Sequence, residues 1–146
     1  MEIRNLSEEY IDGLIKLRED NIDEFKFFTP HPFTREILTE VISTAKLDQY
    51  YVVVFGDIVI GYGLLRGMDE GYKTPSLGIA IDKKYYGTGV SFLLMSFLEL
   101  TSKLLGYKRL RLRVYKENKR ACPFYLKLGY KYEPYDDDSV LGFKDL

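Results

Sequence analysis

Gly87 and Gly89 stand where an apolar run, Leu77 to Ile81, gives way to a longer one that starts at Val90. Where a strand hands over to a helix, the first amide N–H groups lack partners inside the helix and the helix dipole is positive outward, so an anion is favoured there. Glycines leave room for a phosphate to approach the backbone, but a tight turn needing positive φ would use the same pair. The run is not a P-loop, because no Gly-Lys-Ser/Thr closes it, and Phe92 occupies the place of the third glycine of a dinucleotide fingerprint. A second run, Asn118 to Tyr130, reads as a short helix capped by Asn118 and ended by Gly129, carrying Ala121, Phe124, Tyr125 and Leu128. It too has a plain reading, an amphipathic helix packed on a core. The only histidine, His31, lies between two prolines in the aromatic stretch Phe25 to Phe33. Its side chain has the intrinsic pKa for proton transfer near neutrality, and a lone loop histidine can equally be structural.

Composition narrows what these residues can belong to. The chain has 146 residues, 46% hydrophobic and 29% charged, with 15% aromatics, which suits one globular domain over 1–146 and excludes a disordered chain. One cysteine, Cys122, rules out an internal disulfide framework, and one His with one Cys is too few for a usual structural zinc site, so no metal is expected. The first residues lack a basic-then-apolar leader and no apolar run nears the length of a membrane span, so the expected location is cytoplasmic. The net charge of −1 hides a polarity: residues 1–48 hold eleven acids and six bases, residues 103–131 ten bases and one acid. A basic stretch can be a solvated face, an anion site or a nucleic-acid patch.

The elements that must position these residues follow from periodicity. Glu2 to Asn5 reads as a strand, and Ser7 is placed to cap a helix bearing Tyr10, Ile11, Leu14 and Ile15. The prolines at 30 and 32 forbid helix across the aromatic loop, after which Thr34 caps a helix with an Ile37, Leu38, Val41, Ile42, Ala45 stripe. Tyr50 to Phe55 and Ile58 to Leu65 form a hairpin about Gly56-Asp57, and Leu77 to Ile81 a further strand. The long helix from Val90 ends at Gly106. Arg109 to Val114 alternates Arg with apolar residues and is therefore a half-buried strand, and Tyr130 to Glu133 and Val140 to Phe143 follow as two more. The expected fold is mixed α/β.

From Leu77 to Tyr132 this order resembles the GNAT acetyltransferase superfamily. The glycine turn matches at Tyr86, Gly87, Thr88, Gly89, Val90 and Ser91, with Tyr86 in place of the family's Arg or Gln and Ser91 in place of a smaller Gly or Ala. The later motif, Asn-x-x-Ala-x-x-x-Tyr-x-x-x-Gly-Phe/Tyr, is met without a gap at Asn118, Ala121, Tyr125, Gly129 and Tyr130. The resemblance implies a mostly antiparallel seven-stranded sheet flanked by about four helices. It also implies acetyl-CoA as cosubstrate, its pyrophosphate on the turn amides and its pantetheine arm along Ile79, Ala80 and Ile81. Asn118 would meet the cofactor near its thiol end, and Tyr125 would return a proton to the departing thiolate. Relatives carry a Glu directly before the Leu-Gly that matches Leu77-Gly78, whereas Ser76 occupies that place here. His31, Glu70 and Asp69 are the other candidate bases.

The resemblance places the acceptor at the loops Phe25 to Phe33 and Gly67 to Pro75. His31, Phe28 and Glu70 are therefore the candidate substrate-binding residues. Aromatic rings suit a sugar face or an apolar tail and acids suit a cationic amine, so the expected reaction is acetyl transfer to a small-molecule primary amine such as an amino sugar or polyamine. The alternatives are a protein or peptide amine, or a noncatalytic acetyl-CoA-binding module that has lost its base. Nucleic-acid and membrane partners are not expected, and the oligomeric state, a homodimer included, is left open.

Overall fold

A computed structural model describes all 146 residues. The strands are β1 (Glu2–Asn5), β2 (Gln49–Phe55), β3 (Ile58–Arg66), β4 (Ser76–Ile81), β5 (Arg109–Tyr115), β6 (Lys131–Pro134) and β7 (Ser139–Asp145). The helices are α1 (Ile11–Asp20), α2 (Ile22–Phe25), α3 (Arg35–Thr44), α4 (Val90–Leu104) and α5 (Ala121–Lys127). All seven strands form one sheet in the order β1-β2-β3-β4-β5-β7-β6. Every neighbouring pair is antiparallel except β4 and β5, which share a single register pair, Ser76 with Arg111. Parallel strands tied at one point and free beyond it diverge, and this split in mid-sheet is the feature that builds the site.

Two apolar clusters cover the two faces. Leu110, Leu112 and Val114 of β5 join Leu94, Met95 and Leu98 of α4 and Tyr125 of α5 on one face. On the other, Ile11, Leu14 and Leu17 of α1 and Leu38 of α3 pack on Val52, Val54, Tyr62 and Leu64 of the hairpin. The strict alternation in β5 thus has its expected result. Its apolar residues lie under α4, and Arg109, Arg111 and Arg113 face the side that α1 and α3 leave uncovered.

The helices differ from expectation in two places. Five α-helices stand where about four were expected, because the first ends at Asn21 and restarts as the four-residue α2. Asn21 is buried, donates from Nδ2 to the Leu17 carbonyl and accepts the Lys83 amide on Oδ1. It breaks the helix and ties its end to the segment that leads into the glycine turn. Ser7 makes no side-chain cap, and the chain enters α1 through a 3₁₀ turn at Glu8–Tyr10. Thr34 does cap α3, its hydroxyl accepting the Ile37 amide at 3.2 Å. No helix is long and apolar enough to cross a membrane.

Candidate active site

Two clefts meet where β4 and β5 part. The first, about 450 Å³, runs between β4 and α5 and reaches the turn before α4; its lining includes Ile79, Ala80, Ile81, Asn118 and Tyr125. The second, about 440 Å³, lies on the arginine face and is lined among others by Arg66, Glu70, Ser76, Arg111 and Tyr115. Phe27, Phe28, Leu77, Gly78 and Arg113 line both. Gly78 is needed at this junction, since a Cβ there would come within 2.8 Å of the Phe28 ring. Phe28 is in turn fixed by edge contacts with Phe25 and Tyr62.

At the turn, Gly87 and Gly89 have φ of +78° and +96°, and Gly89 occupies the position just before α4. A Cβ at either would meet no protein atom within 4 Å. The glycines are therefore required by the backbone conformation, and the space their missing side chains leave opens to solvent at the head of a fifteen-residue helix. Gly87, Gly89 and Ser91 line the cleft, together with Tyr86. Thr88 does not; its hydroxyl turns back to the Tyr85 carbonyl. The Val90 side chain is buried in the core and also lies off the cleft wall, so position 90 can offer the site only its backbone. Free amides, a positive helix end and a cradle with no Cβ suit the pyrophosphate of acetyl-CoA. Tyr86 brings a cation with it: the Arg120 guanidinium lies 3.5 Å from the centre of the Tyr86 ring, and both residues line the cleft. A cation from the segment before α5 thus stands at position 86, a neighbour that position-by-position matching does not show.

Asn118 organises α5. Its Oδ1 accepts the Ala121 amide and its carbonyl accepts the Cys122 amide, each at 3.1 Å. Two turns on, Tyr125 is buried among the core residues yet lines the first cleft, with its ring edge-on to Tyr130 at 5.9 Å. Burial raises the Tyr125 pKa above that of a free phenol. The hydroxyl therefore carries its proton throughout the physiological range.

The other candidates separate. Glu70 is the only carboxylate lining the second cleft. Asp69 faces elsewhere. Its carboxylate accepts the backbone amides of Lys46, Leu47 and Asp48, and the bonds from Lys46 and Leu47 chiefly hold its pKa below the usual carboxylate value. It braces a loop. His31 lines neither cleft. One ring nitrogen is 2.8 Å from the Tyr62 hydroxyl and the other 2.9 Å from the Pro32 carbonyl, and burial lowers its pKa. Arg66 and Arg111, absent from the sequence-based candidates, are brought into the second cleft. The alternation in β5 could have pointed to Arg111; nothing local singled out Arg66.

The family model for the acetyltransferase (GNAT) family matches residues 14–130, so the chain belongs to the GNAT acetyltransferase family. It is an N-acetyltransferase of that family, with acetyl-CoA as cosubstrate. No curated protein matches its sequence significantly. Among solved structures, PaiA N-acetyltransferase from Thermoplasma acidophilum in complex with coenzyme A is similar, with a TM-score of 0.82 at 20% identity over 99% of this chain and 98% of that one. Ribosomal-protein-alanine N-acetyltransferase from Brucella melitensis aligns over the full length of both chains with a TM-score of 0.82 and 14% identity. A spermidine N-acetyltransferase SpeG chimera from Vibrio cholerae and hSSAT gives 0.77 and 17%, covering 99% of this chain and 96% of that one. These likenesses establish the fold, and the acceptors their names carry differ from one another.

Proposed function

We propose that the chain, as a single domain over 1–146, moves the acetyl group of acetyl-CoA directly to the primary amine of a small molecule that enters through the second cleft. The observation that carries this reading is the meeting of two separate clefts at Leu77 and Gly78, one ending at an anion-suited helix start and the other at a carboxylate and three guanidiniums. Such an arrangement lets donor and acceptor approach each other through separate clefts without an intermediate on the protein. The acetyl-CoA would be held by the backbone at Gly87, Gly89 and Ser91, by Arg120 over Tyr86, and along Ile79 to Ile81; it supplies the activated acyl group. Asn118 orients α5, and Tyr125 gives its proton to the departing thiolate. Glu70 receives the proton that the attacking ammonium must lose, directly or through water, since amines near pKa ~10 are mostly protonated at neutral pH. The setting is cytoplasmic.

Measuring free CoA release across a panel of primary amines tests the reading. Turnover of at least one small amine, reduced by Glu70→Gln while the acetyl-CoA-induced rise in melting temperature persists, is the expected outcome. A protein that is stabilised by acetyl-CoA but acetylates no small amine, or acetylates only a protein terminus, would overturn it.

A further inference from the structure

The three arginines on the open face of β5 are not alike. Arg109 lies 3.7 Å from Asp145, and Arg113 lies 3.0 Å from Asp136 and also donates to the Ser139 hydroxyl. Arg111, between them, forms no ion pair, and its Nε is buried without a hydrogen-bond partner. Its strand partner across the split is Ser76, and the partner of Ser76 on the other side is Arg66. Residues directly paired across strands project to the same face with Cα atoms roughly 4.5–5.5 Å apart, so Arg66, Ser76 and Arg111 form one row across β3, β4 and β5. All three line the second cleft. Arg66 also lacks a carboxylate partner; its guanidinium donates to the Pro30 carbonyl. The charges that face this cleft are therefore Arg66, Arg111, Arg113 with its charge met by Asp136, and Glu70.

Withdrawing a cation from water without a counter-charge is costly, and an N–H left unpaired adds to that cost. A row of guanidinium, hydroxyl and guanidinium is rich in donors and holds no negative charge, and a guanidinium's forked geometry fits two oxygens of one anion. We infer that the acetyl acceptor is an amine that also carries an oxyanion, held by Arg66, Ser76 and Arg111 while its ammonium lies toward Glu70. This rests on the transfer reading above and names its substrate class: an amino acid or an aminoalkyl phosphate, rather than a polyamine or a neutral amino sugar. The hydroxyl at position 76 matters here, because a carboxylate between the two guanidiniums would cancel one of their charges and occupy their donors.

Matched pairs test the inference: free α-amino acids against their α-carboxamides, phosphoethanolamine against ethanolamine, with spermidine as the polycationic control. Binding to CoA-saturated protein is measured by calorimetry and CoA release by a continuous assay. We expect the anionic member of at least one pair to bind roughly tenfold to hundredfold tighter, the worth of one or two charge-assisted hydrogen bonds. Which pair shows the effect tells carboxylate from phosphate. Arg111→Met and Ser76→Glu should each bring the ratio toward one, with Arg111→Lys retaining part of it; the acetyl-CoA melting shift reports whether each variant folds. Equal binding within every pair, no binding by any anionic member, or a preference for spermidine overturns the oxyanion row even if amines are acetylated. Tighter binding of the anionic member with no CoA release from any amine would instead overturn the transfer reading and leave the row standing.

Discussion

The two clefts are built from different materials. The first cleft, the proposed cofactor side, rests on backbone: two glycines at positive φ, the first turn of α4, and an extended β4 with its edge freed by the split from β5. The second cleft, the proposed acceptor side, rests on side chains from four separated places, Phe28 in the aromatic loop, Arg66 at the end of β3, Glu70 in the loop after it, and Arg111 in β5. Backbone geometry recognises a feature that every acetyl-CoA molecule shares, whereas side chains can be exchanged without disturbing the fold. One side is therefore constrained by conformation and the other by chemistry, and variants on each should fail differently.

The largest effect is expected at Tyr125, which lines the first cleft. Tyr125→Phe keeps the ring and its packing against Tyr130 and removes only the hydroxyl, so the fold should be nearly unchanged. Turnover should fall by ~10²–10⁴ while acetyl-CoA affinity stays near wild type, the pattern of a lost proton donor. The loss should shrink with a thioester whose thiol has a lower pKa. A variant that keeps most of its turnover would make Tyr125 a packing residue, and the proton would come from water.

On the cofactor side, Gly89→Val combines a branched side chain with a φ that disfavours it, at a cost of order 1–3 kcal/mol, and fills the open cradle. At acetyl-CoA ~100-fold above the wild-type Kd the stabilisation is ~2.7 kcal/mol, and a ~100-fold weaker variant would retain only ~0.4 kcal/mol of it. Thermal melts with and without acetyl-CoA read this directly; an unchanged shift would mean that the glycine turn is not the phosphate site. Arg120→Met should be milder, weakening acetyl-CoA ~10-fold with little effect on acceptor KM, because one exposed cation stacked on Tyr86 is lost. If acceptor KM changes instead, Arg120 belongs to the other cleft.

The same contrast explains what could be read from the sequence. The glycine turn, the Asn118 cap and the alternation of β5 are local patterns, each fixed within a dozen residues, and all of them appear in the structure. The seven strands were legible to within one or two residues at most ends. Helix α2 was not, because Asn21, at the break after α1, accepts the Lys83 amide from sixty-two positions away. The row of Arg66, Ser76 and Arg111 depends on strand register across a parallel contact of one residue pair, which no single-strand pattern encodes. His31 shows the converse: its residue type suggested chemistry, while its hydrogen-bond partner, Tyr62, lies in a different element.

His31 also yields the smallest expected effect, and it separates fold from acceptor chemistry. Burial is the main cause of its lowered pKa, with the nearby Arg66 charge acting in the same direction against the Pro32 hydrogen bond. A histidine whose folded pKa lies below its unfolded value of ~6.5 binds a proton less readily in the native state, so the unfolded chain takes up more protons as pH falls. Its contribution to stability is complete above that pH and is lost as pH falls through the range between the unfolded and folded values. His31→Gln removes the titration and leaves a group able to hydrogen-bond the Tyr62 hydroxyl. Melting temperatures measured from about pH 7.5 to 5, where most carboxylates stay ionised, should therefore fall less steeply for the variant than for the wild type. Acceptor KM should be near wild type, because His31 lines neither cleft. Parallel slopes would show that His31 does not titrate in this range. A raised acceptor KM with unchanged acetyl-CoA affinity would place the imidazole on the acceptor side and make the aromatic loop part of the chemistry as well as the wall.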